Sequence, residues 1–367
     1  MSLERFFKRG VTSLLRFFLR SRISPPPHPE AVTSILIVRQ HNQLGDMLCV
    51  VPLLRALRRK YPDAHLALMA SPVNADVMRG NCYLDEVILY DKKTILDRRR
   101  FHLSVLLRFV RELRNKRFSI AIVPSTVSTS YTSDLLAYLS GARCRIGAGS
   151  LSGVENRSAF LFTIPETLDW ASEPDRHQTL RNIDNARSLE LVLDDQTLEM
   201  TLSEREEEEG RKYVKEVRQS RRRVIGFHPG AGKVPNRWPA DCFAALINEL
   251  VPEFDAAAVV TCGPMDMDQV RAVEKGLNFP YHLIVNQEIR RVASILKSLD
   301  LVITNDTGIM HVAAAVGAPV LSLFGPTSPE QWAPQGDRNR YIQGRGGDIR
   351  TISVESVLEN VRSMICS

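Results

Sequence analysis

A chain of 367 residues is longer than one hydrophobic core usually fills, so two domains are expected. Its 44% hydrophobic and 25% charged residues are those of an ordinary soluble globular protein. Of the net charge of +6, residues 1–22 carry Arg5, Lys8, Arg9, Arg16, Arg20 and Arg22 against Glu4 alone, so the rest is near neutral and lacks the basic stripe a nucleic-acid partner needs.

In chain order, the first segment reads as an amphipathic helix. Leu3, Phe7, Gly10, Leu14, Phe17 and Phe18 recur at helical spacing with the arginines off that stripe. Phe and Leu opposite Arg is the composition of a helix lying in a membrane interface, the other readings being a helix docked on the protein's own core or a disordered arm. The run Ser24-Pro25-Pro26-Pro27-His28-Pro29 ends it in an extended spacer. Arg16 and Arg20 interrupt the apolar core a signal peptide needs. No stretch reaches the roughly 18 apolar residues of a membrane span.

From residue 34, short apolar strands alternate with helices: strands over 34–40, 65–71, 86–90, 118–125 and 144–147, helices over 45–60, 101–116 and 133–140. Residues 150–200 break this rhythm, with a helix expected from His177 to Leu193. The acidic run Glu204–Glu209 opens another helix, where negative charge suits the positive end of the dipole. The alternation then restarts with strands over 222–230, 256–263, 281–285, 300–306 and 318–325 and helices over 240–250, 266–276, 289–298, 308–316 and 353–365. Two such runs imply an α/β protein of two Rossmann-like domains with the site in a cleft between them. The expected division is 1–33 helix and spacer, 34–200 first domain, 201–352 second domain and 353–367 a closing helix. The cysteines at 49, 82, 144, 242, 262 and 366 are scattered, with no C-x-x-C pair, which points to a reducing compartment and no structural zinc.

Three stretches carry chemistry. Asn305-Asp306-Thr307-Gly308 ends a strand and starts a helix, whose unpaired N–H groups suit a phosphate, with His311 one turn on. Asp306 or Thr307 could equally be a plain helix cap. The turn Pro229-Gly230-Ala231-Gly232, followed by Lys233 and Arg237, has the makings of an anion cradle or of a solvated connection. In RQHNQLGDM (39–47) the pattern G-x-G-x-x-G is absent, which argues against a dinucleotide-binding dehydrogenase. That stretch offers one carboxylate, Asp46, either a helix cap or a general base for an acceptor hydroxyl.

Together, SILIVRQHNQLGDMLCVVPLLRALRRKYPDAHLALMAS, VIGFHPGAGKVPNRWP and LVITNDTGIMHVAAAVGAPVLSLFGPTSPEQWAP resemble the lipopolysaccharide heptosyltransferases, glycosyltransferase family 9, over about residues 34–335. The resemblance implies a GT-B fold and an inverting, metal-independent glycosyltransferase with no cofactor, moving heptose from ADP-heptose to the lipopolysaccharide core, a lipid-linked acceptor, at the cytoplasmic face of the inner membrane. It implies Asp46 as general base and Asp306, Thr307, Gly308 and His311 as contacts to the donor sugar and diphosphate. Pro229 to Gly232 would face the nucleotide, and Asp266 lies near where the family keeps a carboxylate for the ribose. Where the family often has Lys before the K-x-W-P tryptophan, this chain has Asn236, which leaves Lys233 or Arg237 to meet the leaving diphosphate. Residues 1–33 are an addition before the first strand. Acceptor contacts are expected from the first domain and residues 150–180, with Arg157 and Arg176 as candidates. A nucleotide-sugar epimerase of the same fold and a catalytically silent nucleotide-sugar-binding relative are the alternatives.

Overall fold

The computed structural model describes residues 19, 21–41, 43–97 and 100–365; most of the amphipathic segment expected over 1–22, and Cys366, lie outside them. The described chain forms two compact units. The first takes residues up to 41, Cys49–Ala75 and Asn81–Gln196; the second takes Gln43–Leu48, Asp76–Gly80 and the chain from Thr197.

The first unit is built on β1 (Ser34–Arg39), β2 (His65–Ala70), β3 (Glu86–Leu89), β4 (Ile120–Val123), β5 (Cys144–Leu151), β6 (Val154–Glu155) and β7 (Ile164–Leu168). The order is β3-β2-β1-β4-β5, with β6 antiparallel and β7 parallel to β5. All six residues of β1 are buried, as a continuous apolar run must be when both sheet faces are covered. The longer helices are α2 (Val51–Lys60), α3 (Leu103–Asn115), α4 (Tyr131–Leu139) and α5 (Gln178–Asp184); α1 (Leu44–Leu48) belongs to the second unit.

The second unit carries β8 (Arg223–His228), β9 (Ala256–Cys262), β10 (Tyr281–Val285), β11 (Leu301–Asn305), β12 (Val320–Phe324) and β13 (Asn339–Gln343). Their order is β10-β9-β8-β11-β12-β13, every pair parallel. Its longer helices are α6 (Glu204–Arg218), α7 (Ala240–Glu253), α8 (Met267–Glu274), α9 (Ile289–Lys297), α10 (Gly308–Ala315) and α11 (Val354–Ile365). Trp238, Phe227, Phe243, Leu246, Leu301 and Leu321 are among the buried residues of its core. Among the described residues no helix is long and apolar enough to cross a membrane.

Four local features differ from the sequence reading. The helix expected over 45–60 is two helices, broken at Cys49–Val50, with Pro52 in the first turn of α2, where a missing N–H costs nothing. The helix expected from His177 to Leu193 is only α5, followed by a turn at Arg187–Leu189 that Glu190 closes in the left-handed region (φ 48°). Strands β7 and β13 were not expected, because each is half-exposed and β7 holds a proline, so neither shows an apolar run. Finally, residues 43–48 and 76–80 pack with the second unit, although the sequence places them inside the first domain. For 76–80 the cause is Arg290, whose guanidinium donates to the Asp76 and Arg79 carbonyls (3.0 Å each) and to Glu206 (2.5 and 2.6 Å). Glu206 is also the third residue of a capping box with Ser203 that starts α6, so the acidic run is anchored as well as suited to the dipole. The Arg290 guanidinium holds the Glu206 carboxyl well below the usual carboxylate range.

One buried carboxylate in the first unit gives a stability prediction. Asp134 on α4 accepts hydrogen bonds from Asn156 Nδ2 (2.9 Å) and Ser158 Oγ (2.5 Å). Burial nevertheless pushes its pKa up to about 6 from 3.8. Because the folded value lies above the unfolded one, its favourable contribution is complete below pH 4 and is lost as pH rises through 6. Asp134→Asn should therefore match the wild type at pH 4 and exceed it by about 1–3 kcal/mol at pH 7. Urea midpoints of both proteins across that range check this, and an unchanged difference would refute it.

Candidate active site in the second unit

The strand order of the second sheet reverses at β8 and β11, which lie side by side, and ligands of such sheets bind beyond the carboxyl ends of the strands at that point. Two of the three chemical stretches follow these very strands: the 229–237 turn leaves β8 at His228 and Asp306 follows Asn305 of β11.

Asn305, fully buried, binds the two together. Its amide nitrogen donates to the carbonyls of Pro229 (2.8 Å) and Gly230 (3.2 Å), and its Oδ1 accepts from the Trp238 N–H (3.1 Å). Both ends of the turn are thus fastened to the end of β11. Trp238 in turn donates from Nε1 to the Ile352 carbonyl (3.0 Å), anchoring the loop in the core. From sequence Asn305 was only part of the Asn305–Gly308 stretch, with no role of its own; the available signal was an amide ending an apolar strand.

Asp306 does not cap α10. Its carboxylate accepts from Asn236 Nδ2 (2.9 Å), which also faces Thr327 Oγ1 (3.1 Å). Thr307 stands at the cap position in an extended conformation and makes no side-chain cap bond. The start of α10 therefore keeps its dipole and N–H groups available for an anion. Burial pushes the Asp306 carboxyl up, against the Thr327 hydrogen bond and the charge of Lys233, which pull it down. Lys233 is exposed at the mouth of the turn, and Arg237 Nε donates to the Ala231 carbonyl (2.9 Å), closing the turn on itself. Gly232 stands in open space.

Asp266, expected near the ribose, is turned inward. It accepts from the Gly263 N–H (3.1 Å) and lies 3.8 Å from His228 Nε2. A Cβ on Gly230 would come within 2.2 Å of its Cγ, so glycine is required there. The buried His228 ring meets Thr261 Oγ1 at 2.9 Å, and burial pushes its pKa below the ordinary value. This pair forms the floor under the turn.

Asp46, half-buried, lies on α1, and α1 packs on α10 inside the same unit. Two glycines make that approach possible. A Cβ on Gly45 would fall 2.4 Å from His311 Cδ2, and one on Gly308 would lie 3.2 Å from Leu44 Cβ. His311 is accordingly a buried support for α1, ring edge to Trp332 at 6.1 Å. Packing thus gathers Asp46, the 229–237 turn and Asp306-Thr307-Gly308 in one unit, where the sequence assigned Asp46 to the other domain. Arg176 is committed elsewhere, to Asp184 (2.5 Å) and Glu173 (2.9 Å), while Arg157 is exposed in the first unit.

The description "Glycosyltransferase family 9 (heptosyltransferase)" fits residues 106–361 of the chain. Lipopolysaccharide heptosyltransferase 2 of Salmonella typhimurium is 25% identical over 357 residues, spanning 90% of this chain and 98% of that protein. Lipooligosaccharide heptosyltransferase 2 of Haemophilus influenzae is 32% identical over 133 residues, 35% of this chain and 38% of that protein. The structure of E. coli ADP-heptose lps heptosyltransferase II superposes with a TM-score of 0.75 at 22% identity, over 91% of this chain and 99% of that one. At that identity the likeness speaks to the fold, two Rossmann-like α/β units of the GT-B class. With a family match covering well over half its length, the chain belongs to glycosyltransferase family 9, the heptosyltransferase family.

Proposed function

We propose that this glycosyltransferase moves a heptose from ADP-heptose to lipopolysaccharide core or a similar lipid-linked saccharide, inverting the anomeric centre without a metal. The observation that carries this reading is the packing of α1, with Asp46, against the uncapped start of α10 beside the 229–237 turn. As the anomeric C–O bond to the diphosphate breaks, negative charge grows on the leaving ADP. The α10 dipole, Lys233 and Arg237 meet that charge. Asp46 takes the proton of the acceptor hydroxyl as its oxygen attacks, and one displacement inverts the centre; a retaining path would need a nucleophilic carboxylate. The names of the Salmonella and E. coli proteins support the choice of acceptor and donor.

Incubating the full chain with ADP-heptose, with and without heptose-deficient lipopolysaccharide, tests the reaction. ADP release that needs the acceptor and survives EDTA is expected. Release without any acceptor would point to an epimerase, and binding without turnover to a silent relative. The basic segment 1–22 is proposed to hold the enzyme on the inner face of the inner membrane; its deletion should move the protein to the soluble fraction, and no shift would refute the anchor.

Asn236 is proposed to keep Asp306 in place by a neutral bond. Asn236→Asp sets a second carboxylate against Asp306 and should lower kcat/KM roughly tenfold or more, mainly through KM for the donor. Steady-state kinetics with varied donor check this; an unchanged KM would show that Asp306 does not face the donor.

A further inference from the structure

A cavity of about 490 Å³ in the first unit is lined by residues outside the candidate active site, among them Arg157 and Arg22. One wall is the segment from Ser21 to Ile23, the other runs from Glu155 to Phe162. The segment is stitched in place: Ser21 N donates to the Phe160 carbonyl (2.9 Å), Ser24 N to the Thr163 carbonyl (3.2 Å) and Ser21 Oγ to the Leu161 carbonyl (2.9 Å). Arg145 adds a bond from Nη2 to Ser21 Oγ (2.6 Å). Across the cavity Asn156, 3% exposed, is held by Asp134 (2.9 Å) and by the Ala148 carbonyl (2.7 Å), which anchors the chain beside exposed Arg157.

Two arginines, Arg22 and Arg157, therefore border one cavity from two anchored segments. Neither has an ion-pair partner among the described residues, whereas Arg176 and Arg290 both do. Among the described residues Glu155 is the single acid in the lining, so the two arginines leave a net positive charge there. Phe160 and Phe162 supply apolar wall, and Ile23, 80% exposed, stands at the rim. Guanidinium groups favour oxyanions by paired N–H donors, and the volume is that of a small-molecule pocket. Ser21 and Arg22, the last residues of the basic segment, form part of the cavity's lining.

We infer that this cavity binds a phosphate ester carried on an apolar or sugar body, either an anionic lipid headgroup or a soluble sugar phosphate. The full chain is the material for the test, with Arg157→Gln as the main variant because it lies outside the basic segment, and Arg22→Gln beside it. Dihexanoyl phosphatidic acid and glucose 1-phosphate are titrated calorimetrically, and vesicles of phosphatidylcholine with phosphatidylglycerol are tested by sedimentation. Each variant should weaken at least one probe tenfold or more while leaving ADP affinity as in the wild type. Loss confined to the phosphatidic acid and vesicle arms identifies a lipid headgroup, and loss in the glucose 1-phosphate arm a phosphosaccharide; both support the site. Loss in Arg22→Gln with Arg157→Gln unchanged would overturn it, since the effect would then belong to the basic segment, and so would equal binding by all three proteins. The readout is binding alone, so the outcome is independent of whether ADP-heptose is the donor.

Discussion

Asp46→Asn is expected to lower kcat by about 10²- to 10⁴-fold, the usual contribution of a positioned general base, with KM for the donor and the unfolding midpoint close to wild type. Asparagine keeps the shape of the side chain and its place in the first turn of α1 while removing its charge and its capacity to accept a proton. The division of labour predicts a clean split: donor affinity depends on the 229–237 turn and the start of α10, turnover on Asp46. Titrating ADP into the variant and measuring acceptor-dependent turnover separates the two. A variant that retains activity within a few-fold would remove Asp46 from the reaction.

Gly45→Ala is expected to have the second large effect. Its Cβ would sit 2.4 Å from His311 Cδ2 and 2.8 Å from Nε2. His311 has little room to yield, being 3% exposed and packed near Trp332. Overpacking of this kind costs about 1–3 kcal/mol, and here the strain falls on the contact that sets Asp46 beside the helix start. Turnover should therefore fall by more than stability alone explains. Gly232→Ala is the natural control, because a Cβ there meets nothing within 4 Å and should stay within about 0.5 kcal/mol of wild type. Thermal unfolding of both variants and turnover of Gly45→Ala against wild type check this, and equal unfolding of the two variants would count against α1 being wedged on α10.

Much of the fold was legible along the chain. Strands such as SILIVR and LVITN, buried at every residue, announce themselves as apolar runs, and their alternation with helices implies parallel sheets. The acidic start of α6 was legible for the same local reason. Strands β7 and β13 were not, since half-exposed strands lose the apolar signal and gain definition only from the neighbour they pair with.

The site divides in the same way. That glycine turns and a helix start follow β8 and β11 is a property of order along the chain, and sequence alone placed them. It also showed Asn236 where the family often has lysine. What each polar side chain bonds to was decided by the tertiary structure: Asn236 reaches Asp306 across 70 residues, and Asn305 reaches Pro229 across 76. Such pairings set whether Asp306 is a cap or a partnered carboxylate, and why Asp266 faces the floor. The same holds for Asp46, whose helix joins the second unit because two glycines, Gly45 and Gly308, let two backbones come together. Periodicity and capping act within a few turns of chain and so can be read from it. Close packing and hydrogen-bond partnership depend on which distant segments share a surface, and only the folded molecule determines that.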